Sequence, residues 1–368
     1  MRRFLLSLIV LTGILTIGYT VGAGNYLSAS SVYVHEEIPQ SPFKKADTIR
    51  LAMTGDIMMG TTYPDTALPA KGGRMLFNDV KATLRAADLA FGNLEGTLCD
   101  SGVSRKTVSK ISYAFRTPTS MSHLLKDAGY DFLSLANNHS LDFGWVGMKS
   151  TEHVLDSLGI RYAGVKGRKE WTIIEKNGLK IGVCAFGHNH YTVLHTDSAT
   201  VFRILTALRP KVDILVVSFH GGAEGRTRSH LPYGKEMFYE ENRGNLRDFA
   251  HYCVDLGADV VFGHGPHVVR CMELYHNRLI AYSLGNFCTP KGISIAGVSG
   301  YAPILTLEVN HKGEFLQGRI VPFIQLWGIG PRVDKTGAVI RQIRLLSNED
   351  IPGNPLLIDK NGVLRRKK

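Results

Sequence analysis

Five short apolar runs in this sequence end in residues able to hold a divalent cation. Leu51-Ala52-Met53-Thr54 leads into Gly55-Asp56, and Leu89-Ala90-Phe91 into Gly92-Asn93-Leu94-Glu95. Leu133-Ser134-Leu135-Ala136 leads into Asn137-Asn138-His139, and Val216-Val217-Ser218-Phe219 into His220-Gly221-Gly222. Val260-Val261-Phe262 leads into Gly263-His264-Gly265-Pro266-His267. Taken singly, each ending also reads as a turn, a cap or a hydrogen-bonded structural histidine. As a set they offer carboxylate, amide and imidazole with no thiolate, which suits Mn, Fe or Zn and a centre that activates water near neutral pH.

Such a set works only if the chain brings its members together. Runs of this length read as strands, and they alternate with amphipathic stretches at helical spacing over residues 75–87, 120–128, 146–158 and 242–256. That alternation predicts an α/β fold. In an open α/β sheet the carboxyl ends of parallel strands share one edge, where ligands bind, so the five endings are expected to converge. From Val268 onward successive strand candidates with turn signals, such as His276-Asn277, predict antiparallel sheet. Two packed mixed sheets flanked by helices accommodate both patterns.

The order Asp, Asn-x-Glu, Asn-His, His, Gly-His-x-x-His resembles the metallophosphoesterase superfamily. More narrowly, Gly55-Asp56-Ile57-Met58, Gly92-Asn93-Leu94-Glu95-Gly96, Ser134-Leu135-Ala136-Asn137-Asn138-His139, Gly263-His264-Gly265-Pro266-His267 and Tyr282-Ser283-Leu284-Gly285-Asn286-Phe287 resemble the CapA family of poly-gamma-glutamate capsule proteins. The resemblance spans residues 49–287 and implies a metallophosphoesterase-like four-layer fold. It implies Asp56, Glu95, Asn138, His220, His264 and His267 as ligands of one or two divalent ions, with Glu95 bridging and His139 as general acid. Met58 stands where the superfamily pattern has a histidine, so one metal position is a ligand short. Arg226 and Arg228, close after His220, can grip carboxylate or phosphate in bidentate fashion. Their alternative is a solvated basic loop. Asn286 can hydrogen-bond a ligand or cap a turn.

Met1-Arg2-Arg3 followed by an apolar run to Val21 reads as an export signal or N-terminal membrane anchor over residues 1–24. A polar linker is expected over 25–47, a folded body over 48–333, and an extension with a basic tail over 334–368. Net charge is +11, and losing Arg2 and Arg3 with the export segment leaves +9. A basic body attracts polyanions without choosing among them, and no nucleic-acid motif is present. Five cysteines without C-x-x-C spacing argue against a disulfide framework or thiolate zinc site and predict buried free thiols.

The resemblance implies an exported, metal-dependent hydrolase acting on an anionic polymer such as poly-gamma-glutamate, in the cell envelope beside membrane-bound capsule synthase components. A non-catalytic assembly or polymer-binding factor and an exported phosphodiesterase are the alternatives.

Overall fold

Alternation along two strands sets the architecture. In the strand Thr48–Ile57, Ile49, Leu51 and Met53 face one side and Ala52 the other. In the strand Ile214–His220, Ile214 and Val216 face one side, and Leu215, Val217 and Phe219 the other. Side chains of a strand point alternately to its two faces, so each sheet has two apolar surfaces to cover. Ile49, Leu51 and Met53 meet Ile214 and Val216 in one shared core between the sheets. Each large apolar side chain buried there contributes about 1.5–3 kcal/mol.

The outer faces are covered by helices. Leu84 of Lys81–Arg85, Leu124 and Leu125 of His123–Ala128, and Met148 and Leu155 of Gly144–Ser157 pack on the far side of the larger sheet. Val201, Ile204 and Leu205 of Ser198–Leu208, with Phe249 and Cys253 of Leu246–Asp255, cover the far side of the smaller one. Helix, sheet, sheet, helix is the four-layer arrangement expected. The computed structural model describes residues 47–104, 106 and 113–367, all in one unit comprising residues 41–368. The expected export segment 1–24 and residues 25–46 of the expected linker lie outside the described residues. Among the described residues no helix is long and apolar enough to cross a membrane.

The larger sheet has nine strands and the smaller six. Thr48–Ile57, Leu89–Leu94, Phe132–Ser134 and Arg161–Ala163 run parallel to one another. So do Leu179–Phe186, Ile214–His220, Val260–His264 and Arg278–Ala281. Later strands pair antiparallel as expected: Ile304–Asn310 lies against Phe315–Val321, and Met272–Tyr275 turns into Arg278–Ala281 through His276 and Asn277, both at positive φ.

Three segments differ from expectation. Of residues 75–87 only Lys81–Arg85 is helical; the preceding residues form turns, and the Arg332 guanidinium donates to the carbonyl oxygens of Met75 and Leu76. The helix expected from residue 242 starts at Leu246, where the Asn245 side chain accepts from Asp248 N at 3.3 Å and caps it. Beyond Asp334, the helix Ala338–Glu349 buries Val339, Ile340 and Ile343 in the shared core, and Leu356–Ile358 and Val363–Arg366 extend the edge of the larger sheet. All five cysteines are buried free thiols, as their apolar surroundings predicted.

Candidate metal centre

Parallel pairing carries the chemical residues to one edge. Asp56 is the register partner of Asn93 on one side and of Asn286 on the other, Asn93 pairs with Ser134, and His264 pairs with His220. Gly55 is required here, since any Cβ would collide with the Gly285 carbonyl of the neighbouring segment. In Gly263-His264-Gly265-Pro266-His267 the backbone turns back sharply. Gly265 has φ 112 and a Cβ would stand 2.6 Å from Gly221 O. His267 itself is left-handed, at φ 58, a conformation held at a cost where the surroundings impose it.

The side chains then crowd around Glu95. Its Oε1 lies 3.5 Å from His267 Nε2, 3.7 Å from His220 Nε2 and 3.9 Å from His139 Nε2. Asp56 Oδ2 is 3.1 Å from His267 Nδ1 and Oδ1 is 3.5 Å from His264 Nδ1, while Asn93 Nδ2 donates to Asp56 Oδ1 at 2.9 Å. Asp56, Glu95 and His267 offer ligand atoms all within 4.8 Å of one another. Both Glu95 oxygens, Oδ1 of Asn138 and both ring nitrogens of His220 and His264 are buried without a hydrogen-bond partner among the described residues. Leaving a buried polar group unpaired costs about 1–3 kcal/mol. A cation-shaped need is therefore written into the donor set: the Glu95 oxygens and the His220 and His264 nitrogens converge and do not satisfy each other.

His139 sits at the rim of this cluster. Its Nδ1 is 2.9 Å from Asp142 Oδ2, which also accepts from Phe115 N at 2.7 Å. The Phe115 ring lies against the imidazole, centroids 4.3 Å apart. Nδ1 faces both Asp142 and, at 3.1 Å, Lys106 Nζ, so Nε2 is the nitrogen turned toward Glu95. Lys106 Nζ pairs with Asp142 Oδ1 at 2.7 Å and donates to Asn138 O at 2.9 Å, so it braces this corner rather than lying in solvent.

Electrostatics divide the histidines. Burial pushes His264 down to about 4 and His220 well below the usual range, against the opposing pull of Asp56. Burial would depress His267 too, yet Glu95, Asp56 and Glu224 raise it to about 10. In the metal-free protein His267 is the cation among these carboxylates.

The other expected site residues are exposed or are spent within the protein. Arg226 and Arg228 are exposed on the loop after His220, and their guanidinium groups form no ion pair among the described residues. Asn286, read as touching a ligand or capping a turn, is fully buried: Oδ1 is 2.9 Å from His267 Nδ1, and Nδ2 faces the carbonyls of His267, Ser294 and Ser299. It orients His267. Met58 is buried, with its terminal methyl toward Gly292.

Two residues went unread in the sequence. His188 follows the strand Leu179–Phe186, with its ring stacked on His220 at 5.7 Å between centroids and Nε2 3.6 Å from Glu241 Oε2. Its signal was the same as the other five, an apolar run ending in Gly187-His188. Glu224 places Oε2 3.8 Å from His267 Nε2, and its Oε1 accepts from Arg243 Nη1 at 2.8 Å.

The family described as bacterial capsule synthesis protein PGA_cap matches residues 50–291, which contain every one of these side chains. The chain belongs to this family. As a member of the capsule synthesis family it is similar to the PGA biosynthesis protein CapA of Bacillus subtilis (strain 168), 28% identical over 271 residues that cover 70% of this chain and 67% of the relative. It is also similar to the capsule biosynthesis protein CapA of Bacillus anthracis, 27% identical over 288 residues covering 72% and 66%. The chain thus spans about two thirds of the length of these relatives. Among solved structures, a hypothetical protein from Thermus thermophilus is similar at TM-score 0.46 and 19% identity, over 75% of this chain and 98% of that one.

Proposed function

We propose that this capsule-family protein is a metal-dependent hydrolase, exported to the cell envelope, that acts on an anionic polymer of the poly-gamma-glutamate class. The observation that carries the reading is the set of buried, unpartnered ligand atoms on Glu95, Asn138, His220 and His264. Asp56, Glu95, Asn138, His220, His264 and His267 are the residues that would hold one or two divalent ions. When bound, such an ion supplies Lewis-acid polarisation of the scissile group and a nucleophile near neutral pH.

The chain's own groups supply the rest. Asp142 fixes the His139 ring through Nδ1, leaving Nε2 to deliver a proton to a leaving group at the rim. Asn286 and Asp56 orient His267 from its Nδ1 side. Arg226 and Arg228, exposed and without an ion-pair partner among the described residues, are suited to carboxylates of an extended chain. A polymer product or substrate fits the names of the relatives, a PGA biosynthesis protein and a capsule biosynthesis protein.

The test is metal analysis of the purified protein combined with two assays, the length distribution of poly-gamma-glutamate by gel filtration and hydrolysis of a generic phosphodiester. Metal-dependent shortening of the polymer is expected, abolished by chelation. Metal-loaded protein that binds the polymer but leaves its length unchanged would instead identify an assembly factor. Cleavage of the phosphodiester alone would identify a phosphodiesterase.

A further inference from the structure

The hairpin of Phe323–Leu326 and Gly330–Val333 carries apolar side chains at its turn, where water-exposed turns ordinarily carry polar ones. We propose that this tip, Leu326-Trp327-Gly328-Ile329 with Met75 beside it, inserts into the interfacial layer of an anionic lipid bilayer, with Lys71, Arg74 and Lys291 facing the headgroups. This role is independent of the chemistry at the metal centre.

Burial falls away toward the turn. Phe323 packs in the layer outside the larger sheet and Gln325 is buried, whereas Leu326, Trp327 and Ile329 are 42%, 61% and 44% exposed. Met75 is 51% exposed, and Arg332 of the second strand donates to its carbonyl at 2.9 Å, so it borders the hairpin. The tip is held firmly. Ile329 N donates to Leu326 O at 3.0 Å and closes the turn, with Gly328 at φ 73, and Gly328 N donates to Pro290 O at 2.8 Å. Gln325 Oε1 accepts from Thr289 N at 2.6 Å. A fixed turn that keeps a tryptophan and two branched aliphatic side chains in water forfeits their burial in the free protein, which marks a surface made to be covered.

Charge and size select what covers it. A Cβ on Gly328 would stand 3.7 Å from Lys291 Cε, and Arg74, next to Met75, donates its N–H to Lys71 O at 3.4 Å. Lys71, Arg74 and Lys291 have no ion-pair partner among the described residues, while the nearby carboxylate of Asp79 lies 3.8 Å from Arg332 Nε. Cations around an apolar tip match the negative surface potential of an anionic leaflet, and tryptophan is favoured at the boundary between water and lipid. A stable protein partner would engage about 20–30 residues on each side, and the apolar tip offers Met75, Leu326, Trp327 and Ile329. Through Gln325 and Thr289 the tip is tied to the strand Asn286–Cys288, whose Asn286 orients His267. A docked tip therefore fixes how the candidate metal centre faces the bilayer.

The test mixes full-length protein with vesicles of phosphatidylcholine and phosphatidylglycerol at about three to one, their acyl chains either plain or brominated. Trp327 emission is read as the difference between wild type and Trp327→Phe, with circular dichroism confirming that each variant is folded. The Trp327 signal is expected to shift to the blue and to lose about half or more of its intensity to brominated chains. Arg74→Gln with Lys291→Gln is expected to cut that quenching at least about twofold, as are vesicles of phosphatidylcholine alone. Trp327 emission that brominated chains leave unchanged overturns the proposal even where the protein sediments with the vesicles, because another segment then holds it and the patch is left to a protein partner. Quenching of equal extent on neutral vesicles and in the double variant overturns the anionic surface as the occupant.

Discussion

His220 and His264 stand opposite one another as register partners on neighbouring parallel strands, and neither ring makes a hydrogen bond among the described residues. Burial keeps both well below the ordinary imidazole range. Two neutral, bare imidazoles next to an unpartnered carboxylate, Glu95, form a donor set rather than an ion-pair network.

Replacing Asp56 by Asn or His264 by Ala is expected to remove bound metal while the fold survives, because both side chains lie at strand ends rather than in the apolar layers. His139→Ala is expected to retain metal and to lower turnover by about 10²–10⁴-fold, the usual contribution of a general acid. Metal content and circular dichroism on the three variants check this. Equal metal loss in all three would remove His139 from the role of acid.

The buried pair Arg270–Glu236 supports the Glu224–Arg228 segment. Arg270→Met leaves Glu236 buried and uncompensated, and breaking such a pair costs about 3–5 kcal/mol. Urea unfolding should show that loss. A double variant that also carries Glu236→Leu should recover part of it.

His195 is buried, and burial holds it at about 3. The unfolded chain's histidine takes up a proton near 6.5, so between these values the unfolded state binds more protons and stability falls as pH drops. The slope from this one group is up to about 1.4 kcal/mol per pH unit, absent above pH 6.5. In metal-free protein His195→Gln should therefore show a shallower loss of stability between pH 6.5 and 4 than the wild type, measured by urea unfolding at each pH.

If Arg226 and Arg228 hold an extended polyanion, poly-gamma-glutamate affinity should fall steeply with salt, since exposed charges are screened within about 8 Å at physiological ionic strength. Arg226→Gln with Arg228→Gln should weaken polymer binding and leave metal content unchanged. Affinity indifferent to both salt and these substitutions would point to a smaller substrate.

Much of this was legible in the chain because strand ends announce themselves. An apolar run followed by glycine, asparagine or histidine marked Asp56, Glu95, Asn138, His220 and His264, and parallel pairing did the rest. His188 carried the same mark after Leu179–Phe186 and was passed over beside the more familiar motifs. Glu224 could not be read that way, for its place is set by Arg243 and by the Arg270–Glu236 pair, which are tertiary contacts. Asn286 likewise reads as a ligand-facing amide until the carbonyls of Ser294 and Ser299 close around it. The helix Ala338–Glu349 shows apolar spacing at Val339, Ile340, Ile343 and Leu346, but the short strands Leu356–Ile358 and Val363–Arg366 owe their pairing to Phe315–Val321.

The five buried thiols have a practical corollary. Burial raises the pKa of each above the ordinary thiol value, so almost none is thiolate at neutral pH, and the thiolate is the reactive form. Cys184, Cys253 and Cys271 lie in the layer outside the smaller sheet, Cys288 in the layer outside the larger, and Cys99 in a small separate cluster. A thiol-specific dye can reach them only when the layer that holds them opens. The protein thus carries its own clocks, whose separate labelling rates time the breathing of each layer, and no cysteine needs to be engineered to read them.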